Sequence, residues 1–153
     1  MLRLEKGHII IGQDTDGLTT PFEAASGFAV KMDKPFFIGQ RSLKIIQAKP
    51  LRQILVAFVL DKSCAGPTPK ECHLVIDGDN MTGRVTSIAL SESVGQVVGL
   101  AYITPSLANL GGKFKIRIDG GAMVEATIVN PPFYDPDGAR QKSAAAPEAK
   151  VAA

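Results

Sequence analysis

The chain has 153 residues, of which 45% are hydrophobic and 21% charged, a composition typical of one globular domain with its own core. Its formal net charge of +2, from 17 basic and 15 acidic residues, is too small to indicate a nucleic-acid or anionic-membrane partner. The longest apolar run, Ile54–Leu60, is too short to span a bilayer, and the first residues lack the apolar stretch of a signal peptide. A cytoplasmic location is therefore expected by default.

The cysteines and histidines predict neither a disulfide framework nor a metal site. Cys64 and Cys72 lie eight positions apart in a chain without a CxxC pair, so two reduced thiols are expected. His73 follows Cys72 directly and His8 is distant, so no set of residues has the spacing of zinc ligands.

The first 48 residues combine loops with short elements. Residues 1–6 alternate apolar and charged side chains with no preceding cap or turn, which suggests that the chain begins inside a longer domain. A loop is predicted at residues 12–20, a short apolar strand at 28–32, and an amphipathic helix at 39–48 that ends before Pro50.

Residues 51–130 predict a unit built of β-strands. Branched and aromatic residues, or strict alternation of apolar and charged residues, mark six segments separated by Gly-rich turns. These segments are residues 53–60, 72–76, 83–89, 96–103, 113–118 and 123–129. Six strands at this spacing predict a small closed antiparallel barrel, and hence a mainly β fold with some α.

The chain after the sixth strand is predicted to lack regular structure. Residues 131–141 are a Pro-rich exit segment. Residues 143–153 are rich in alanine and show no apolar periodicity, so they are predicted to be a disordered tail.

The residues show no generic catalytic motif, and no catalytic residue is predicted. Ser87, Ser91 and Ser93 lack the Gly-x-Ser-x-Gly context of a nucleophile elbow. His8 and His73 have no evident nucleophile partner, so ordinary surface or core histidines are expected. Glycine-rich phosphate-binding loops are also missing.

Three carboxylates near the start of the chain are candidates for chemistry. Asp14 and Asp16 could be a pair for acid–base catalysis, although in a Gly-flanked loop they are more often turn residues. Glu5 could accept two parallel hydrogen bonds from a ring N–H and a neighbouring amino group, the donor pair that a pterin presents. The alternative for Glu5 is a solvated surface side chain.

Four motifs carry a family resemblance. In chain order they are LRLEKGHIIIGQDTDGLTTP at residues 2–21, FIGQRSL at 37–43, GRVTS at 83–87 and PFYDPDG at 132–138. Together they resemble the glycine-cleavage T protein (aminomethyltransferase) superfamily. Within it, EKGHIIIGQDTDG and FIGQRSL are most similar to sarcosine oxidase alpha subunits and N-methylglutamate dehydrogenase large subunits. Ile88 and Ser91-Glu92 depart from the glycine-cleavage pattern.

The resemblance implies a division of the chain and a role for Glu5. Residues 1–48 would be the C-terminal remnant of an α+β folate-binding domain, truncated here, and residues 51–135 the aminomethyltransferase-type C-terminal β-barrel. In this family the glutamate of the LRLE motif binds the pterin, so the resemblance implies that Glu5 contacts tetrahydrofolate. The family's catalytic aspartate lies upstream of this chain, so the chain alone is expected to be inactive.

Under this resemblance, the chain is interpreted as the C-terminal fragment of a sarcosine-oxidase-type amine oxidoreductase. Its folate module would capture a one-carbon unit as 5,10-methylenetetrahydrofolate, with a flavin elsewhere in the parent enzyme. The alternatives are a non-catalytic β-barrel interaction module and a fragment of a glycine cleavage T protein.

The expected partners are the other part of the same module, other oxidase subunits, or a second copy of the chain. Contact is expected through an apolar cluster of residues 1–48 whose natural cover would be absent. Its members are Leu2, Leu4, Ile9, Ile10 and Ile11.

Overall fold

The computed structural model of the chain describes residues 1–60 and 67–142; Cys64 and the predicted tail at 143–153 lie outside the described residues. Its six strands form a closed barrel in the order β1-β4-β3-β2-β5-β6, and every neighbouring pair is antiparallel. The strands are β1 Ile54–Leu60, β2 Leu74–Asp77, β3 Asn80–Ser91, β4 Gln96–Ile103, β5 Lys113–Arg117 and β6 Met123–Val129. The predicted six-stranded antiparallel barrel is confirmed.

Alternating side chains fill the inside of the barrel. In β5 the apolar residues Phe114 and Ile116 point inward between exposed cationic residues. The Phe114 ring meets that of Phe58 from β1 edge to face, with ring centroids 5.4 Å apart. Burial of such apolar side chains, at about 25 cal/mol per Å² removed from water, is the main force holding the barrel closed.

A second apolar cluster covers the outer face of β1 and β4. Leu55 and Ala57 of β1 pack there with Leu100 and Tyr102 of β4, and Leu4 of the N-terminal segment (residues 1–48) lies over them. Both faces of these two strands are therefore buried. This explains why their sequences are continuous apolar runs instead of alternating patterns.

The N-terminal segment begins with a short helix, α1 (Leu2–Glu5), that is tied to the exit segment after β6. The Glu5 carbonyl accepts hydrogen bonds from the backbone N–H groups of Phe133 and Tyr134, at 2.8 and 3.2 Å. Gly7 lies so close to Pro131 that an added Cβ would be 2.5 Å from the proline Cβ. Residues 1–7 and the exit segment are thus packed against each other.

The helix predicted at residues 39–48 is confirmed as α2 (Gln40–Gln47), and none of its residues is buried. The strand predicted at residues 28–32 is wrong, because Gly27–Ala29 forms a 3-10 turn. A strand needs a partner for its backbone, and a closed barrel has no free edge to offer one. Three further 3-10 turns occur at Pro105–Leu107, Asp119–Gly121 and Ala139–Gln141.

Candidate functional site

A β-bulge in β3 decides which of its side chains reach the N-terminal segment. Val85 and Ser87 oppose consecutive residues of β4, so Thr86 is an extra residue in the strand. Before the bulge, Val85 points into the barrel core. After it the alternation is shifted by one residue, and Ser87 and Ser91 lie on the outer face, where both contact carboxylates of the N-terminal segment.

Ser87 belongs to a buried polar network centred on Asp14. The Asp14 carboxylate is fully buried and accepts hydrogen bonds from Ser87 Oγ at 2.6 Å, Arg3 Nη1 at 2.7 Å and the Ile10 N–H at 2.8 Å. The Tyr102 hydroxyl donates to the Asp14 carbonyl at 2.7 Å. The network fastens the loop containing Asp14 to the barrel wall.

The charge on Asp14 is favoured by these donors. Burial by itself raises the pKa of Asp14, but the hydrogen bonds, led by that of Ser87, outweigh it and hold the pKa below its ordinary value. Burial raises the pKa of the Tyr102 hydroxyl, which therefore stays a hydrogen-bond donor. An aspartate that is charged near neutral pH and has both oxygens hydrogen-bonded stabilises structure and is poorly suited to exchange protons.

Asp16 caps its own turn. Its Oδ1 accepts hydrogen bonds from the backbone N–H groups of Leu18 and Thr19 at 2.9 and 2.8 Å and from Thr19 Oγ1 at 2.7 Å. These bonds, led by that of the Thr19 side chain, hold the pKa of Asp16 below its ordinary value. The turn interpretation therefore describes Asp16, and its carboxylate is not hydrogen-bonded to that of Asp14.

Glu5 lies at a second contact between the N-terminal segment and β3. The residue is only 4% exposed, and its Oε1 accepts a hydrogen bond from Ser91 Oγ at 2.6 Å. The alternative of a solvated surface side chain is therefore wrong for Glu5. Within residues 1–60 and 67–142, no group donates a hydrogen bond to its other oxygen, so Glu5 keeps capacity to accept from a ligand.

A largely apolar groove of about 710 Å³ runs between the N-terminal segment, β1 and the exit segment. Lys6, His8, Phe28, Leu100 and Pro132 are among its lining residues, and Glu5 is not. The Lys6 ammonium donates to the Asp135 carbonyl at 3.0 Å, which ties this wall of the groove to the exit segment.

The remaining candidates fall outside these contacts. His73 accepts a hydrogen bond from the Lys70 N–H through Nδ1 at 3.0 Å, so its Nε2 carries the proton and faces Asp119 at 3.2 Å. Hydrogen bonds from the Lys70 ammonium and, second to it, from His73 hold the pKa of Asp119 below its ordinary value. In turn, the hydrogen bond to Asp119 raises the pKa of Lys70. Cys72 is an exposed free thiol, and the described part of the chain contains no group of three or more potential metal ligands.

For two residues of this site, Ser87 and Ser91, the sequence predicted no binding or positioning role. Ser87 and Ser91 are four positions apart, a spacing that puts them on one face of a strand. That signal, next to the GRVTS motif, could have indicated a shared polar edge. Their partners, Asp14 and Glu5, could not be found from spacing, since the paired residues are 73 and 86 positions apart.

Every helix among the described residues is too short to cross a lipid bilayer. Residues 53–135 match the glycine cleavage T-protein C-terminal barrel domain. The match spans the six strands and the first five residues of the exit segment, 131–135.

Comparison with whole proteins extends the similarity to the N-terminal segment. The chain is 37% identical over 143 residues to an aminomethyltransferase of Rubrobacter xylanophilus, covering 90% of this chain and 37% of the relative. It is 30% identical over 132 residues to an aminomethyltransferase of Thermotoga petrophila, covering 86% and 35%. The chain thus spans about a third of the length of these relatives.

A solved structure has the same fold. The glycine cleavage system aminomethyltransferase T of Bartonella henselae superimposes with a TM-score of 0.75 at 25% identity, covering 88% of this chain and 37% of that one. The barrel order, the family match and the relatives agree, and the chain belongs to the glycine cleavage T-protein C-terminal barrel family.

Proposed function

We propose that this chain is the C-terminal part of an aminomethyltransferase-type module that uses tetrahydrofolate as its one-carbon acceptor in the complete protein. The observation that carries the proposal is the extent of the match. Similarity to aminomethyltransferases covers 86–90% of the chain, and so extends beyond the barrel into residues 1–48. The activity itself needs residues that lie in the other two thirds of such relatives.

The contribution of this chain would be to bind and orient the pterin. Glu5 is buried, and one of its oxygens accepts no hydrogen bond from the described residues. A pterin carries a ring N–H beside an amino group, and a carboxylate accepts from both with charge assistance. The reduced folate, when bound, supplies the nitrogen atoms that accept the one-carbon unit, while Glu5 fixes the position of the ring.

Two kinds of complete enzyme are considered as the protein to which this chain belongs. The relatives described above are aminomethyltransferases, so a glycine cleavage T protein has the stronger support. A sarcosine-oxidase-type parent, with its flavin in another part, rests on details of two motifs, EKGHIIIGQDTDG and FIGQRSL. A non-catalytic interaction module is the remaining alternative, and a cytoplasmic location stays a prediction.

A fusion protein tests the proposal. The matching C-terminal third of the Rubrobacter xylanophilus aminomethyltransferase would be replaced by this chain, and tetrahydrofolate affinity and aminomethyl transfer measured. We expect the fusion protein to be active and the isolated chain to show no turnover. Glu5→Gln should weaken tetrahydrofolate binding about 30-fold, the loss expected for one charged hydrogen bond.

Glu23→Gln is the matched control for that variant. Glu23 is equally buried, at 3% exposed, but its carboxylate is already held by Thr20 and Arg52. Its replacement should lower stability without changing folate affinity. Equal affinities of the Glu5→Gln variant and the wild type would remove Glu5 from the folate site, and an inactive wild-type fusion protein would count against the function.

We further propose that residues 1–48 dock on the rest of the module, and on a second copy of the chain when the rest is absent. Part of the predicted cluster is not available, because Leu4 is covered by the barrel itself. Other members of that cluster are exposed as predicted, and so are two apolar residues next to α2: Leu2 at 80%, Ile11 at 86%, Phe36 at 77% and Ile38 at 94%. Burying such side chains gains roughly 25 cal/mol per Å² of apolar surface.

Sedimentation of the isolated chain checks this docking surface. We expect concentration-dependent association that is lost in a Phe36→Ser, Ile38→Ser double variant. The control is Met81→Ser with Leu90→Ser, two apolar residues of β3 that are 66% and 61% exposed. A wild-type chain that stays monomeric at high concentration, or equal loss in both double variants, would contradict the proposal.

A further inference from the structure

The Ser91 hydroxyl donates its proton to the Glu5 carboxylate. Ser91 is fully buried, so water does not compete for it. Its oxygen accepts a hydrogen bond from the Val94 N–H at 3.1 Å and lies 2.6 Å from Glu5 Oε1. An ionised carboxylate can only accept, so the hydroxyl donates to Glu5. The contact is fixed by the β3–β4 turn on one side and by α1 on the other.

Glu5 is held at its backbone as well as at its carboxylate. The Glu5 carbonyl accepts from Phe133 and Tyr134 of the exit segment, while Oε1 accepts from Ser91. A buried charge is normally surrounded by hydrogen-bond donors, and a carboxylate has about four acceptor positions. The residue Glu5 is 96% buried, and among the described residues only Ser91 donates to its carboxylate. The side chain is therefore oriented, while its other oxygen, which is not buried, is left to solvent or to a ligand.

Asp14 provides the contrast on the same strand face. Ser87 donates to Asp14 at 2.6 Å, the same distance as from Ser91 to Glu5. Asp14, however, also accepts from Arg3 and Ile10, so its two oxygens are both engaged by protein donors. Ser87 therefore serves a closed structural network, whereas Ser91 serves a carboxylate with an oxygen left over.

We propose that Ser91 is a positioning residue. By holding Oε1 it fixes the Glu5 carboxylate so that its remaining acceptor positions meet a ligand carrying a ring N–H beside an amino group. The inference rests on the proposed function, in which that ligand is the pterin of tetrahydrofolate. Ser91 itself is separated from the ligand by Glu5, so its effect is on binding and not on the transfer step.

Kinetics of the fusion protein test the role. Ser91→Ala is expected to raise the KM for tetrahydrofolate about tenfold, the loss of one hydrogen bond, while kcat changes less than about twofold. The Ser87→Ala variant should lose about as much stability as Ser91→Ala, but its KM for tetrahydrofolate should be unchanged. Ser91→Thr, which keeps the hydroxyl and suits a strand, should stay within about threefold of the wild type. Equal KM values for the two alanine variants would overturn the proposal.

A measurement on the chain itself separates this inference from the proposed function. In ¹³C NMR spectra of glutamate side chains, the Glu5 carboxyl resonance is expected to move in Ser91→Ala and to stay in place in Ser87→Ala. If the wild-type fusion protein bound no folate but the resonance moved, the function would fail while the holding of Glu5 by Ser91 stood. An unmoved Glu5 resonance in Ser91→Ala would refute the positioning role whatever the folate result.

Discussion

Replacing Gly83 by alanine is expected to destabilise the barrel by about 3 kcal/mol or more. A Cβ at this position would lie 1.9 Å from the Tyr102 carbonyl oxygen and 2.9 Å from the Ile103 Cα. Both are backbone atoms of β4, which cannot rotate away as a side chain can. β3 and β4 would have to separate where Gly83 opposes Ile103, next to the bulge that directs Ser87 outward.

Gly17→Ala is the control for this change. Gly17 has no heavy atom within 4 Å of an added Cβ, and its backbone is not in the left-handed region. Its replacement should leave the free energy of unfolding within about 0.5 kcal/mol of the wild type. Urea denaturation of the three proteins would measure the difference. A Gly83→Ala variant as stable as Gly17→Ala would show that β4 shifts at little cost, contrary to this reasoning.

The barrel was predictable because its information is local. Strict alternation in β5, the branched run of β1 and the Asp77-Gly78-Asp79-Asn80 turn between β2 and β3 each mark an element within a few residues. Gly78 adopts a left-handed backbone with φ 59°, as that tight turn requires. Six such local signals suffice to predict a closed barrel.

The errors arise where tertiary contacts override local pattern. Residues 28–32 are apolar enough for a strand, but the closed barrel leaves no edge to pair with, and Phe28 is exposed. Leu4 was predicted to lack cover, yet the outer face of β1 and β4 provides it. In both cases the deciding partner lies far along the chain, where residue spacing carries no information.

The candidate site shows the same limit. The LRLE and GRVTS motifs were recognised separately, but Arg3 and Ser87, 84 positions apart, are joined at 2.9 Å. Thr86 makes the connection possible, since without an extra residue Ser87 would share the inward face of Val85. A bulge of one residue leaves no recognisable mark in composition or periodicity, so the contact between the two motifs needed a structure.

Replacing Asp14 by asparagine is expected to cost about 2–3 kcal/mol of stability at neutral pH, since it removes a fully buried charged acceptor from an ion pair whose Arg3 side chain is 28% exposed. The variant loses the charge that Arg3 and Ser87 contact at 2.7 and 2.6 Å. Its amide nitrogen would also face groups that are themselves donors. Urea denaturation of the variant and the wild type, repeated from about pH 7 to about pH 3, would measure both the size and the pH dependence of the loss.

The pH dependence follows from the direction of the shift. The folded-state pKa of Asp14 lies below its ordinary value of 3.8, because the hydrogen bonds outweigh burial. The stabilisation is therefore complete above the unfolded-state pKa and is lost as pH falls through the lower folded-state value. The difference in free energy of unfolding between the wild type and Asp14→Asn should be constant near neutral pH. It should become smaller below about pH 4. Asp16→Asn, at the exposed turn, is the control and should be the milder change at neutral pH. A difference that stayed the same down to about pH 3 would mean that the charge of Asp14 does not hold the N-terminal segment on the barrel.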